Sequence, residues 1–105
     1  MARKDRDTPT RSSGNIFRDV GFAPEEAEHL LIRADLLIQL QKVISARDLK
    51  QAEAARILRV SQPRVSDLLR GRIELFSTDA LIDMLALLGV RVRLVLKRSA
   101  AREVA

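Results

Sequence analysis

Apolar positions along this chain follow two periods, one helical and one extended. From Pro24 onward, Ala27, Leu30, Leu31, Ala34, Leu37, Ile38, Val43 and Ile44 recur at helical spacing. This predicts one long helix. Pro24 suits its first position, where no intrahelical N–H partner is lost, and Glu25 and Glu26 suit the positive end of the helix dipole. The pattern ends near Arg47 and Asp48. About 23 residues at 1.5 Å each would span about 35 Å, longer than the domain behind it needs. The excess end either breaks into two helices or packs against something else. Two shorter apolar sets follow: Ala54, Ala55 and Leu58 on one helix, then Val65, Leu68 and Leu69 on another. Between them, Arg59-Val60-Ser61 reads as a tight turn. Val60 is its apolar plug, and Ser61 is an N-cap for a helix opening at Gln62 and Pro63. Ala55 is small enough to let two steeply crossing helices approach.

After Gly71, which stops the second short helix, Leu75 and Phe76 are expected to turn in and close the core. Ser77 then caps a last helix whose Leu81, Ile82, Met84, Leu85, Leu87 and Leu88 make it apolar on more than one face. In so small a domain the second face points to a partner subunit. Gly89 ends that helix. From Val90 to Lys97 the period changes to two, with Val90, Val92, Leu94 and Leu96 one way and Arg91, Arg93, Val95 and Lys97 the other. A lone strand cannot satisfy its backbone ladder. It should pair with the matching strand of a second copy or with a short extended piece near Ile16, and a two-fold dimer is favoured. The expected dimer residues are Leu81, Leu85, Leu88, Val92, Leu94 and Leu96. At the other end, Asn15 can cap a short turn carrying Ile16, Phe17 and Val20. Its aromatics read as anchors onto the core.

Residues 1–14 are rich in Arg, Lys, Asp, Ser, Thr and Pro without periodicity. They read as a disordered basic arm, either a solvated tail or a segment that follows a DNA backbone. The organised domain is expected over 15–97, with a frayed tail over 98–105. The predicted class is all-α with one C-terminal β-strand. A chain of 105 residues that is 47% hydrophobic supports one small core.

Composition narrows the chemistry further. The sequence has no cysteine, so neither a disulfide nor a cysteine zinc site is available, and a reducing, cytoplasmic setting is expected. The opening residues carry charge but no apolar core of a secretory signal. The apolar run from Ala80 to Val90, interrupted by Asp83, is too short to span a bilayer. His29 is the only histidine, and its neighbours Glu25 and Arg33 are ordinary helix-face charges. With no nucleophile–base pair and no metal cluster, an enzyme is the last reading, and neither cofactor nor metal is expected. The net charge of +5 and pI of about 10.7 favour a polyanionic partner, as a prior only.

An α-helix fits the DNA major groove, where side-chain donors and acceptors read base edges. If Val65, Leu68 and Leu69 face inward, then Gln62, Pro63, Ser66 and Arg70 face outward, with Arg64 and Asp67 at the edges. Gln62 could read adenine through its amide. Ser66 is short enough to let the helix sit deep. Arg70 and Arg72 suit phosphates, or a guanine if the angle allows. Gln51, at the head of the preceding helix, can hold a phosphate. Asp67 would repel phosphates, so it either accepts from a cytosine amine or pairs with Arg64 or Arg70. Helix pairs with a turn are common, however, and many bind nothing.

The stretch Gln51–Arg70 resembles the helix-turn-helix of the lambda-repressor/Cro-like (XRE) family. That unit carries Gln first, Ala fifth and apolar residues fifteenth and eighteenth; here these are Gln51, Ala55, Val65 and Leu68. Two positions depart from the pattern. Arg59 stands where the family commonly has Gly, and Lys50 stands where it favours a capping Thr, so that the helix start should fray or borrow Asp48. The resemblance implies a compact helical DNA-binding domain in which Gln51 and Gln62 brace each other at the operator. The segments Asn15–Phe22, Gln51–Ala55, Ser61–Ser66, Phe76-Ser77 and Leu88-Gly89 further resemble a subgroup of HigA-like antitoxins. For that subgroup the resemblance implies binding of a RelE/HigB-like toxin and repression of its own operon. The expected DNA-binding set is Gln51, Ser61, Gln62, Pro63, Arg64, Ser66, Asp67, Arg70 and Arg72. The competing reading is a toxin-neutralising protein-interaction module, for which Gln62→Ala and Arg64→Ala would leave function intact.

Overall fold

A computed structural model describes residues 15–98 of the chain. Five α-helices follow one another: α1 (Ile16–Asp19), α2 (Pro24–Ala46), α3 (Gln51–Leu58), α4 (Gln62–Leu69) and α5 (Thr78–Leu87), with a short 3-10 turn at Ile73–Leu75 before α5. The predicted long helix is unbroken over 23 residues, so its excess length is resolved by packing. Its C-terminal half carries the core residues Leu37, Leu40 and Ile44, against which α3, α4 and α5 assemble. Its N-terminal half carries α1 across the buried Ala27.

α1 is pinned by a polar contact where aromatic anchors were expected. Asn15 is buried, accepts from the N–H groups of Phe17 and Arg18 as an N-cap, and donates through Nδ2 to the Ala27 carbonyl at 3.2 Å. Phe17 is half-buried against Phe22 in an edge-to-face pair, while Ile16, Val20 and Phe22 are exposed. Four residues of helix cannot cover all of these apolar groups against a single neighbouring helix.

All five helices end in the same hydrogen-bonded motif, in which the two residues past the end donate back to carbonyls of the last turn. The first of those two residues has positive φ. In α4 and α5 it is glycine, Gly71 and Gly89, as the sequence predicts. In α2 it is Asp48 (φ 54°) and in α3 it is Arg59 (φ 60°). Asp48 is thus committed to ending α2 and does not cap α3. The start of α3 is held from the other direction: the Lys50 backbone N–H donates to Glu53 Oε1 at 2.8 Å, half of a capping box that the acceptor-free lysine cannot complete. At Arg59 the left-handed conformation crowds Cβ against the following carbonyl. Arg59→Gly is therefore expected to stabilise the fold by about 1 kcal/mol. A higher urea midpoint at unchanged slope would register it; a fall in midpoint would mean that the arginine side chain contributes more than the strain removes.

One core fills the space between the helices: Leu37, Leu40 and Ile44 of α2, Ala54, Ala55 and Leu58 of α3, Val65 and Leu68 of α4, Phe76, and Leu81, Met84, Leu85 and Leu88 from α5 and its cap. This corrects the expected dimer surface. Leu81, Leu85 and Leu88 are at most 2% exposed within the single chain, so their side chains are already covered by α2 and α3 and cannot face a second copy. Leu69 and Leu75, expected inside, are more than a third exposed. The C-terminal segment also differs from its prediction. Among the described residues no β-strand forms, because the segment from Val90 meets no ladder partner within the chain. Val90 and Val92 lie half-buried against the core, whereas Leu94 and Leu96 are 80% and 92% exposed. The arm over 1–14 and the end of the tail lie outside the described residues.

Candidate nucleic-acid interface

Two helices joined by a three-residue turn form one face of the domain. α3 turns Ala54, Ala55 and Leu58 inward, α4 turns Val65 and Leu68 inward, and the Val60 N–H closes the turn on the Ala55 carbonyl at 3.0 Å. The Ser61 hydroxyl caps α4 by accepting from the Arg64 N–H at 3.3 Å, as its position predicts. Gln62 and Pro63, the first two residues of α4, are exposed together with Gln51 at the head of α3. Ser66 is half-buried, one turn further along α4.

The far end of α4 is secured by a residue that the motif does not contain. Gln41 Nε2, from α2, donates to the carbonyls of Leu68 at 2.9 Å and Leu69 at 3.4 Å. Those carbonyls lie in the last turn of α4, where helix oxygens lack intrahelical partners. Sequence carries a trace of this. Gln41 lies four residues after Leu37 and three before Ile44, on the inward stripe of α2, where a polar side chain needs a buried task.

The arginines of the face differ in their surroundings. Arg64 stacks its guanidinium over the Phe76 ring, 4.2 Å from the centroid. It is half-buried there and forms the outer cover of an aromatic ring only 1% exposed. Arg70 pairs with Asp67 across one turn at 3.3 Å, which decides among the partners weighed for Asp67 within the chain. Arg72 donates from Nε to Glu74 at 2.8 Å. That hydrogen bond, with the charge of the guanidinium, holds the Glu74 carboxyl below the usual carboxylate range and raises Arg72 in turn. Lowering of the carboxyl means that the pair is fully ionised at neutral pH and breaks only as pH falls through that depressed value. Glu74 was not among the residues singled out in the sequence; a carboxylate two positions from a predicted phosphate-binding arginine is its only signal.

Charge is segregated along the fold. Residues 15–35 hold five carboxylates against two arginines, whereas residues 36–98 hold twelve lysines and arginines against six carboxylates. Among the described residues no group of His, Asp and Glu could hold a metal ion, and no helix is long and apolar enough to cross a membrane.

A small capped helix set across a tight turn on a second helix, with its polar face outward and its apolar face in a shared core, defines the helix-turn-helix class. The comparison with known families agrees: a helix-turn-helix domain model matches residues 16–97, and the chain belongs to that family. Among solved structures, the chain is similar to one described as an XRE family transcriptional regulator, at 33% identity and a TM-score of 0.65, over 71% of this chain and 84% of that one. This is an XRE-type helix-turn-helix protein. None of the curated proteins matches it.

Proposed function

We propose that this protein is a sequence-specific DNA-binding transcriptional regulator that reads its operator through α4. The observation that carries this reading is the presentation of α4. Its first residues, Gln62 and Pro63, are exposed, its apolar side is locked in the core, and Gln41 fixes its far end. A helix held at both ends can enter a major groove with little ordering left to complete. Ser61, Gln62, Pro63 and Ser66 lie toward the bases, Arg64 and Asp67 at the edges, and Gln51, Arg70 and Arg72 toward the phosphates. The transcriptional-regulator description of the similar solved structure supports the same conclusion.

Within this reading the protein acts as a homodimer on a palindrome with half-sites about 34 Å apart. The dimer surface is built from Val92, Leu94 and Leu96 beside the open groove of Ile82, Ala86 and Val90, since Leu94 and Leu96 stay uncovered in the single chain and Ile82, Val90 and Val92 are only partly covered. The finer role is that of an autorepressing antitoxin for a RelE/HigB-like toxin. The resemblance of Asn15–Phe22 and Ser61–Ser66 to HigA-like proteins supports it. So does the exposed apolar cluster of Ile16, Val20 and Phe22, set among carboxylates that disfavour DNA.

The experiment is binding of the purified chain to the DNA upstream of its own gene and to a shuffled duplex at near-physiological salt. Preference for the upstream DNA, with binding that weakens steeply as salt rises, is the expected result. Equal, salt-sensitive binding to both duplexes would replace this reading with a protein-interaction module whose basic charge alone attracts DNA.

A further inference from the structure

We propose that Asp67 and Glu74 are specificity-determining residues that hold Arg70 and Arg72 in the free protein and so suppress binding to DNA of the wrong sequence. The proposal rests on the DNA-binding reading above and deepens it.

Two carboxylates on a face meant for a polyanion need a reason. Each is paired with an arginine assigned to phosphate: Asp67 with Arg70 at 3.3 Å, Glu74 with Arg72 at 2.8 Å. Stability does not supply the reason. The Arg72 and Glu74 side chains are 47% and 60% exposed, and exposed ion pairs add little to a fold. Nor does helix support explain both, because the second pair lies outside α4, at the entry to the 3-10 turn.

Their effect on DNA follows from charge. Sequence-independent affinity comes from cations that displace counterions at phosphates. An arginine held by a carboxylate must leave that partner, or bring its negative charge along, before it serves a phosphate. Both routes cost affinity, and the cost falls unequally. On the correct sequence the base contacts of Gln62 and Ser66 dock α4 so that both arginines reach phosphates and leave their carboxylates. On other sequences the loosely docked chain keeps the pairs and brings their negative charge to the backbone. Specificity is a difference between affinities, so a term that weakens the unwanted complex sharpens it. Position favours this role: residues 67–74 directly follow the base-reading end of α4, where a helix lying in the groove passes the backbone.

The test compares the wild-type chain with Glu74→Gln, Asp67→Asn and Glu74→Gln/Arg72→Ala on the upstream duplex and the shuffled duplex, from about 50 to about 300 mM salt. Glu74→Gln keeps the shape of an exposed side chain and removes only its charge, and a thermal melt confirms that the fold is kept. It is expected to bind the shuffled duplex about two- to five-fold more tightly. The log–log salt slope should steepen by about one phosphate contact, and the ratio of upstream to shuffled affinity should fall. Asp67→Asn should act in the same direction, and Arg72→Ala should cancel the gain of Glu74→Gln. Unchanged or weaker binding of the Gln variant to the shuffled duplex would overturn the proposal. A gain that survives Arg72→Ala would overturn the holding role of Glu74. If the wild-type chain bound neither duplex, the DNA-binding reading itself would fail, an outcome distinct from the other two.

Discussion

Phe76→Ala is expected to destabilise the domain by about 3–5 kcal/mol, the largest single effect in this chain. Phe76 is among the largest fully buried side chains and belongs to the one core that α2, α3, α4 and α5 share. Removing it deletes the transfer free energy of a phenyl group and leaves a cavity that the surrounding core relaxes into only in part. Small domains have total stabilities of about 5–15 kcal/mol, so the loss is a large fraction of what holds the native state. Arg64 makes the effect reach the candidate interface. Its guanidinium rests on the ring, and without the ring it loses the platform that fixes its direction. Phe76→Leu separates the two contributions: it refills most of the cavity yet offers no π face. A urea titration of both variants should show a deep loss for Ala and a much smaller one for Leu. Comparable losses in the two would mean that the ring contact with Arg64, rather than volume, dominates at this site.

The second large effect concerns reading. Gln62→Ala is expected to cost about 1–3 kcal/mol on the preferred DNA, roughly 5- to 150-fold in affinity, and almost nothing on a shuffled duplex. Gln62 is exposed and caps nothing, so its removal leaves the fold alone. Titrations on both duplexes, together with one thermal melt, provide the check. A uniform loss on both would assign Gln62 to the backbone, and no loss on either would remove it from the interface. Arg64→Ala is a poorer probe than its position in the motif implies, because it also uncovers the Phe76 ring and weakens the core. Arg64→Met, which keeps an apolar cover while discarding the charge, isolates its contribution to DNA binding.

Much of the architecture was legible in the sequence because its signals are local. Pro24, Ser61, Ser77, Gly71 and Gly89 mark helix ends through their own backbone or hydroxyl chemistry, and each stands where that chemistry placed it. The signals that failed were those in which local pattern leaves the partner open. α5 is apolar on several sides, and periodicity cannot say which side the chain itself covers. Leu81, Leu85 and Leu88 therefore read as a partner surface, whereas α2 and α3 already occupy it. Alternation over Val90–Lys97 permits a strand but cannot provide the second one. Of the candidate interface, the order of residues on α4 was readable. The clamp from Gln41 and the Arg64–Phe76 stack were not, since they join positions 27 and 12 residues apart, respectively, through the tertiary fold. Asp48 and Arg59 end their helices without glycine because the apolar contacts on either side fix the chain direction strongly enough to hold a strained residue.

The separation of charge along the molecule has a kinetic consequence. Its carboxylate-rich end lies on α1 and the first turns of a helix about 35 Å long, and its arginine-rich end lies beyond. A body charged in this way feels a torque in the field of a polyanion as well as a pull. At physiological ionic strength that field decays over about 8 Å, so the torque acts only in the last part of the approach. Within that layer the domain over 15–98 is expected to turn so that its arginine-rich part, rather than α1, faces the polyanion. Collisions are thereby sorted by orientation before any base is touched, and raising the salt slows association through lost alignment as well as lost attraction.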